Sequence, residues 1–119
     1  MSCRLVLIAL AVSSATTWAG NDMHPLLASL GKELMALRAL PVGAESSARC
    51  PGDTSSLRGL RKSELALVLG RPDYNEESHW TFFFTSPIPP NQFGGGFPEL
   101  TFWFDAHGVV ENIECHYSR

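Results

Sequence analysis

The stretch Glu99-Leu100-Thr101-Phe102-Trp103-Phe104-Asp105-Ala106-His107-Gly108-Val109-Val110-Glu111-Asn112-Ile113-Glu114-Cys115-His116-Tyr117 carries two β-segments and the turn between them. Glu99 to Phe104 alternates strongly and is rich in aromatic and β-branched residues, which suit a pleated, half-buried surface. Asp105-Ala106-His107-Gly108 has the composition of a tight turn. Val109 to Tyr117 should therefore return antiparallel beside its predecessor. A third segment, His79 to Thr85, has the same aromatic and β-branched character. It is joined to Glu99 by residues 86–98, a connection that is long for a hairpin and rich in Pro and Gly.

A side-chain period of two assigns the faces. Trp80, Phe82 and Phe84 share one side, with Leu100, Phe102 and Phe104 from the second segment. From the third come Val109, Ile113 and Cys115, with Glu111 a misfit near the turn. The opposite side holds Thr81, Phe83, Thr101, Trp103, Val110, Asn112, Glu114 and His116. It is polar except for Phe83, Trp103 and Val110.

Upstream the apolar spacing becomes helical. Residues 21–41 place Leu26, Leu30, Leu34 and Leu37 on one stripe, with Leu27 beside it. Asp22 suits the N-cap and Pro25 the first turn, while Pro41 and Gly43 stop the helix. A second helix of about two turns is predicted around Leu65, Val68 and Leu69, ended by Gly70 and Pro72. Two turns are unstable alone, so packing must hold them. Residues 42–58 between the helices have loop composition and contain Cys50. Together these readings predict an α+β fold in which two helices pack on one face of a three-stranded antiparallel sheet.

The chain has 119 residues, 45% apolar and 18% charged, which describes one globular domain and argues against disorder. Its first twenty residues read as a signal peptide. Arg4 precedes the apolar run from Leu5 to Val12, which is too short to span a bilayer, and small residues end at Ala19. Cleavage near Ala19 leaves a domain of residues 20–119; a cut after Ala15 also satisfies the pattern. No cysteine follows the apolar run at the cut, and Cys3 lies too early, so neither a lipid anchor nor a transmembrane segment is expected. The product is expected to be periplasmic or secreted.

In such an oxidising compartment Cys50 and Cys115 allow one disulfide. Closing a loop of that length contributes about 4 kcal/mol in the chain-entropy picture. Loss of Arg4 leaves eight basic side chains against twelve acidic ones, a net charge of −4. That balance disfavours nucleic acid as a partner.

The run Gly59-Leu60…Lys62…Glu64-Leu65…Leu69-Gly70…Pro72 resembles a segment of the SmpA/OmlA family, the BamE-like outer-membrane assembly domains. There a Gly-hydrophobic-Thr-Lys-x-Gln-Val stretch leads into Leu-Gly-x-Pro. A tryptophan-led strand, here His79-Trp80-Thr81-Phe82, and a Phe-Asp…Gly-Val hairpin, here Phe104 to Val109, follow in the same order. The likeness covers roughly residues 57–116. Arg61 stands where the family has a capping threonine, and the lipidation cysteine is missing, so the chain resembles a non-lipidated variant. The resemblance implies an αα-βββ fold and a part in envelope assembly. Domains of this shape are also similar to secreted inhibitors of β-lactamase, which grip an enzyme with the sheet.

Phe83 and Trp103 are the first candidates for partner binding, because aromatics on an open sheet face are common anchors. A purely stabilising cross-strand pair accounts for them equally well. Phe93 and Phe97, flanking Gly94-Gly95-Gly96 in the long loop, are the second candidates. Arg58, Arg61, Lys62 and Arg71 read as a solvated basic face. His24, His79, His107 and His116 show no metal-ligand spacing, and no nucleophile with a base can be placed. The expected function is a soluble module that binds another protein, without metal, cofactor or catalytic activity. The competing expectation is an inhibitor or immunity protein that blocks a secreted enzyme or toxin.

Overall fold

The computed structural model describes residues 24–90 and 95–118. Strands β1 (Tyr74–Asn75), β2 (His79–Phe83), β3 (Pro98–Phe104) and β4 (Val110–Tyr117) lie side by side in chain order, all antiparallel. Helix α1 spans Pro25–Arg38 and helix α2 spans Lys62–Leu69. The α+β class with two helices holds, but the sheet has four strands and not three. The extra strand is a two-residue edge, too short to show a period in the sequence. It forms because Asp73 N–H donates to the Thr81 carbonyl at 2.8 Å and Glu76 N–H to the His79 carbonyl at 3.0 Å.

Between β3 and β4 the register runs from Leu100↔Cys115 to Trp103↔Asn112 and then jumps to Phe104↔Val110. Glu111 is the extra residue of a β-bulge. Here the sequence expectation needs correcting. Unbroken alternation places Val109 in the core and Val110 outside, whereas Val110 is 2% exposed within the core and Val109 pairs with Arg61 beyond the strand. The misfit at Glu111 marks the residue at which the phase slips.

The core gathers Leu27, Leu30, Leu34 and Leu37 of α1, Leu57, and Leu65 and Leu69 of α2. They pack on Phe82, Phe84, Leu100, Phe102, Phe104 and Val110. The helices therefore cover the sheet face predicted for them. Asp22 lies outside the described residues. The N-cap of α1 is His24, whose Nδ1 accepts from Leu27 N–H at 3.3 Å, while Nε2 lies 3.1 Å from the Ser56 carbonyl oxygen. Helix α2 lacks a hydroxyl cap. Instead Glu64 Oε1, three residues on, accepts from Arg61 N–H at 2.9 Å, one half of a capping box.

Residues 42–58 have no regular structure beyond a 3-10 turn at Ser55–Leu57, yet they are tied at several points. Gly43 N–H donates to the Pro87 carbonyl at 2.8 Å, and Ser86 Oγ donates to the Ala44 carbonyl at 2.6 Å. The Cys50–Cys115 disulfide then joins the loop to β4, and Cys50 N–H donates to Tyr117 Oη at 3.0 Å. Asp53 accepts from both the backbone N–H and the hydroxyl of Ser55, which hold its carboxyl below the ordinary aspartate value. Leaving the turn, Gly59 N–H donates to the Val110 carbonyl and Val110 N–H to the Leu60 carbonyl, so the chain seals the first turn of the β4 edge before α2 begins.

Candidate functional site

With the helices on one side, the other side of the sheet is formed by β2, β3 and β4 side chains and by Tyr74. Register places His79 opposite Trp103, Thr81 opposite Thr101 and Phe83 opposite Glu99. On β4, Asn112, Glu114 and His116 continue these rows. Phe83 and Trp103 are both on this face, as the period of two predicts, but they are half-buried, not exposed, and do not pair with each other. Each anchors its own cluster at an opposite end.

At one end Phe83 meets Tyr74 edge-on at 5.6 Å between centroids and Phe97 at 5.4 Å. At the other Trp103 lies 4.5 Å from the His79 ring. Between them the Thr81 and Thr101 hydroxyls are hydrogen-bonded at 2.8 Å. Phe97 thus belongs to the sheet surface and not to a loop tip. It is placed there because Ser118 N–H donates to the Phe97 carbonyl and Gly96 N–H to the Ser118 carbonyl, which extends the β3–β4 ladder. Phe93 lies outside the described residues. A cleft of about 300 Å³ between residues 43–46 and 85–89 underlies the start of the same loop.

The formally charged groups of the face are acidic. Residues 72–118 contain seven carboxylates and no lysine or arginine. Glu99 stands in the Phe83 row and Glu114 in the Thr81–Thr101 row, with His116 Nε2 3.1 Å from Glu114 Oε2. The bulge adds Glu111. Together with Trp103, Asn112 and Glu114 it lines a shallow depression of about 360 Å³. The Trp103 Nε1–H is buried and has no hydrogen-bond acceptor among the described residues. Buried donors are normally paired, so this one is an exception that calls for an explanation.

The four cations read as one solvated basic face have separate surroundings. Lys62 Nζ sits 4.9 Å from the Phe104 ring centroid and 5.6 Å from that of Trp80, and donates to the Glu77 carbonyl at 3.0 Å. It closes the end of the aromatic core by cation–π contact. Arg58, Arg61 and Arg71 are exposed. At the other margin, Asp73 Oδ2 accepts from Phe83 N–H at 2.7 Å and meets Arg38 at 3.3 Å, fixing the edge of the aromatic end.

Tyr74 and His79 were not candidates in the sequence. Tyr74 stands in a strand of two residues, and His79 at the first position of its strand, where alternation gives little signal. Among the described residues no helix is long and apolar enough to cross a membrane, and no three His, Cys, Asp or Glu side chains converge as a metal site requires. The face can bind by stacking, burial of aromatic surface and charge. No family model matches the chain, and no curated protein matches it.

Proposed function

We propose that this chain is an exported interaction module of BamE-like shape that receives another protein on the outer face of its sheet. The carrying observation is the pair of aromatic clusters, Tyr74–Phe83–Phe97 and His79–Trp103, on the side that the helices leave free. Aromatic side chains are enriched at the centres of interfaces because they bury large areas at low entropic cost. The disulfide supports export, since such bonds persist in oxidising compartments. On this reading the module assists assembly of envelope proteins. The inhibitor reading is favoured by one observation: the face belongs to a sheet locked to its loop through Cys115, and rigid surfaces bind with little ordering cost.

A Phe83→Thr/Trp103→Thr variant tests the docking face, with Met35→Thr/Leu67→Thr on the exposed helix surface as the control. Chemical cross-linking in envelope extracts should lose its products in the first variant and keep them in the second. The reverse pattern would reject the docking face. Products spread over several envelope proteins indicate an assembly factor. One tight one-to-one complex with loss of an enzyme's activity indicates an inhibitor.

A further inference from the structure

We infer that the outer face takes a basic segment of its partner protein, with an arginine or lysine side chain seated beside Trp103 between Glu111 and Glu114. This rests on the docking role proposed above and adds the chemistry of the partner. The charge distribution carries it. All seven lysines and arginines of residues 24–118 lie before residue 72, whereas Glu99, Glu111 and Glu114 are on β3 and β4. Of those cations, Lys62 is engaged over Trp80 and Phe104, and Arg38 with Asp73. On the face itself only His116 meets a carboxylate among the described residues, and it is charged only when protonated. An unbalanced acidic surface attracts a basic partner and repels phosphate-bearing ones.

The bulge gives this attraction a definite place. Without it Glu111 would alternate onto the helix side with Ile113, where a carboxylate is costly to bury. With it Glu111 joins Asn112 and Glu114 around Trp103. Bulges commonly re-aim a side chain at a functional position. His79 occupies one side of the indole, and the depression opens on the β4 side. A guanidinium or ammonium there gains two carboxylates.

The test is an NMR titration of the oxidised protein with a Gly-Arg-Gly-Arg-Gly peptide and, separately, its glutamate counterpart. The arginine peptide should shift the Trp103 indole and Asn112 side-chain amide signals saturably, and raising the salt to about 1 M should suppress the shifts. Glu111→Gln/Glu114→Gln should bind roughly tenfold more weakly, as loss of two partly exposed ion pairs implies. The glutamate peptide should do nothing. Equal response to both peptides, or full affinity in the double variant, overturns the charge assignment while leaving the docking face intact. Shifts that depend on protein concentration alone would place a second copy on the face and overturn it too. If no peptide acts and the Phe83/Trp103 variant also keeps its cross-links, both readings fall.

Discussion

Gly31 of α1 lies against Val68 of α2 so closely that a Cβ at Gly31 would stand 2.7 Å from Val68 Cγ1 and 2.8 Å from the Val68 carbonyl oxygen. The two helices meet through this absence of a side chain. On an isolated helix Gly31→Ala would gain roughly 1 kcal/mol from propensity. Here the methyl must push α2 away from α1, and overpacking of that kind costs about 1–3 kcal/mol. Gly31→Ala should therefore lower the urea midpoint. Val68→Ala should not restore it, because the backbone carbonyl remains in the way. A midpoint at or above wild type would show that the helices can part without loss.

The disulfide bridges 65 positions of sequence and holds the inter-helix loop on β4. Constraint of an unfolded loop of that length corresponds to about 4 kcal/mol, and natural bridges in small domains give about 2–5. Cys50→Ser/Cys115→Ser should lose that stability, read as a drop in thermal midpoint matched by wild type under reductant. Cys50 N–H and Tyr117 Oη would still hold one contact across the same gap. Amide exchange should therefore rise in residues 44–56 before it rises in the sheet. Unchanged midpoints in both experiments would refute the stabilising role.

The sheet's inner rows were legible in the sequence because Phe82, Leu100 and Phe102 alternate without interruption, and each is fully buried. The helix stripe was legible from the spacing of Leu30, Leu34 and Leu37, although Leu27, and not Leu26, is the buried leucine of the first turn. What alternation could not show was a register change. The phase of β4 near the turn depends on one bulged residue, and Glu111 signals the slip only as an anomaly. Apart from Val110, which the bulge turns into the core, the outer face was legible as a list of residues but not as a surface. Phe83 and Trp103 stand four residues apart along the paired rows, so their separation into two clusters follows from register. Tyr74 enters the first cluster through a strand too short to leave a pattern.

Thr81 and Thr101 are buried to 5% and 8% exposure, with their hydroxyls bonded to each other on the face between the clusters. Each is the other's partner. Thr101→Val replaces one hydroxyl by a methyl of similar size and strands the other, which costs about 1–3 kcal/mol. Thr81→Val/Thr101→Val removes both and should recover most of the loss, since an apolar cross-strand pair of β-branched residues packs well. A double-mutant cycle by urea unfolding reads the coupling directly. Strict additivity would mean that the hydroxyls find other partners when separated.

Asp105 holds the β3–β4 turn. Its Oδ1 accepts from Val109 N–H at 3.0 Å and from His107 N–H at 2.8 Å, and these bonds keep its carboxyl below the ordinary aspartate value. A carboxyl depressed in the folded state adds stability that is complete above the unfolded value. That stability is lost as pH falls through the folded one. Asp53, depressed by Ser55, acts in the same window and with the same sign. Asp105→Asn keeps an acceptor oxygen in place but cannot titrate. Its stability should therefore fall less steeply than wild type between about pH 5 and about pH 2, with Asp53 accounting for part of the remaining slope. Asp105→Ala should be weaker than Asp105→Asn at neutral pH, because the two amide donors lose their acceptor. Parallel slopes for wild type and Asp105→Asn would mean that the charge on Asp105 contributes nothing to the turn.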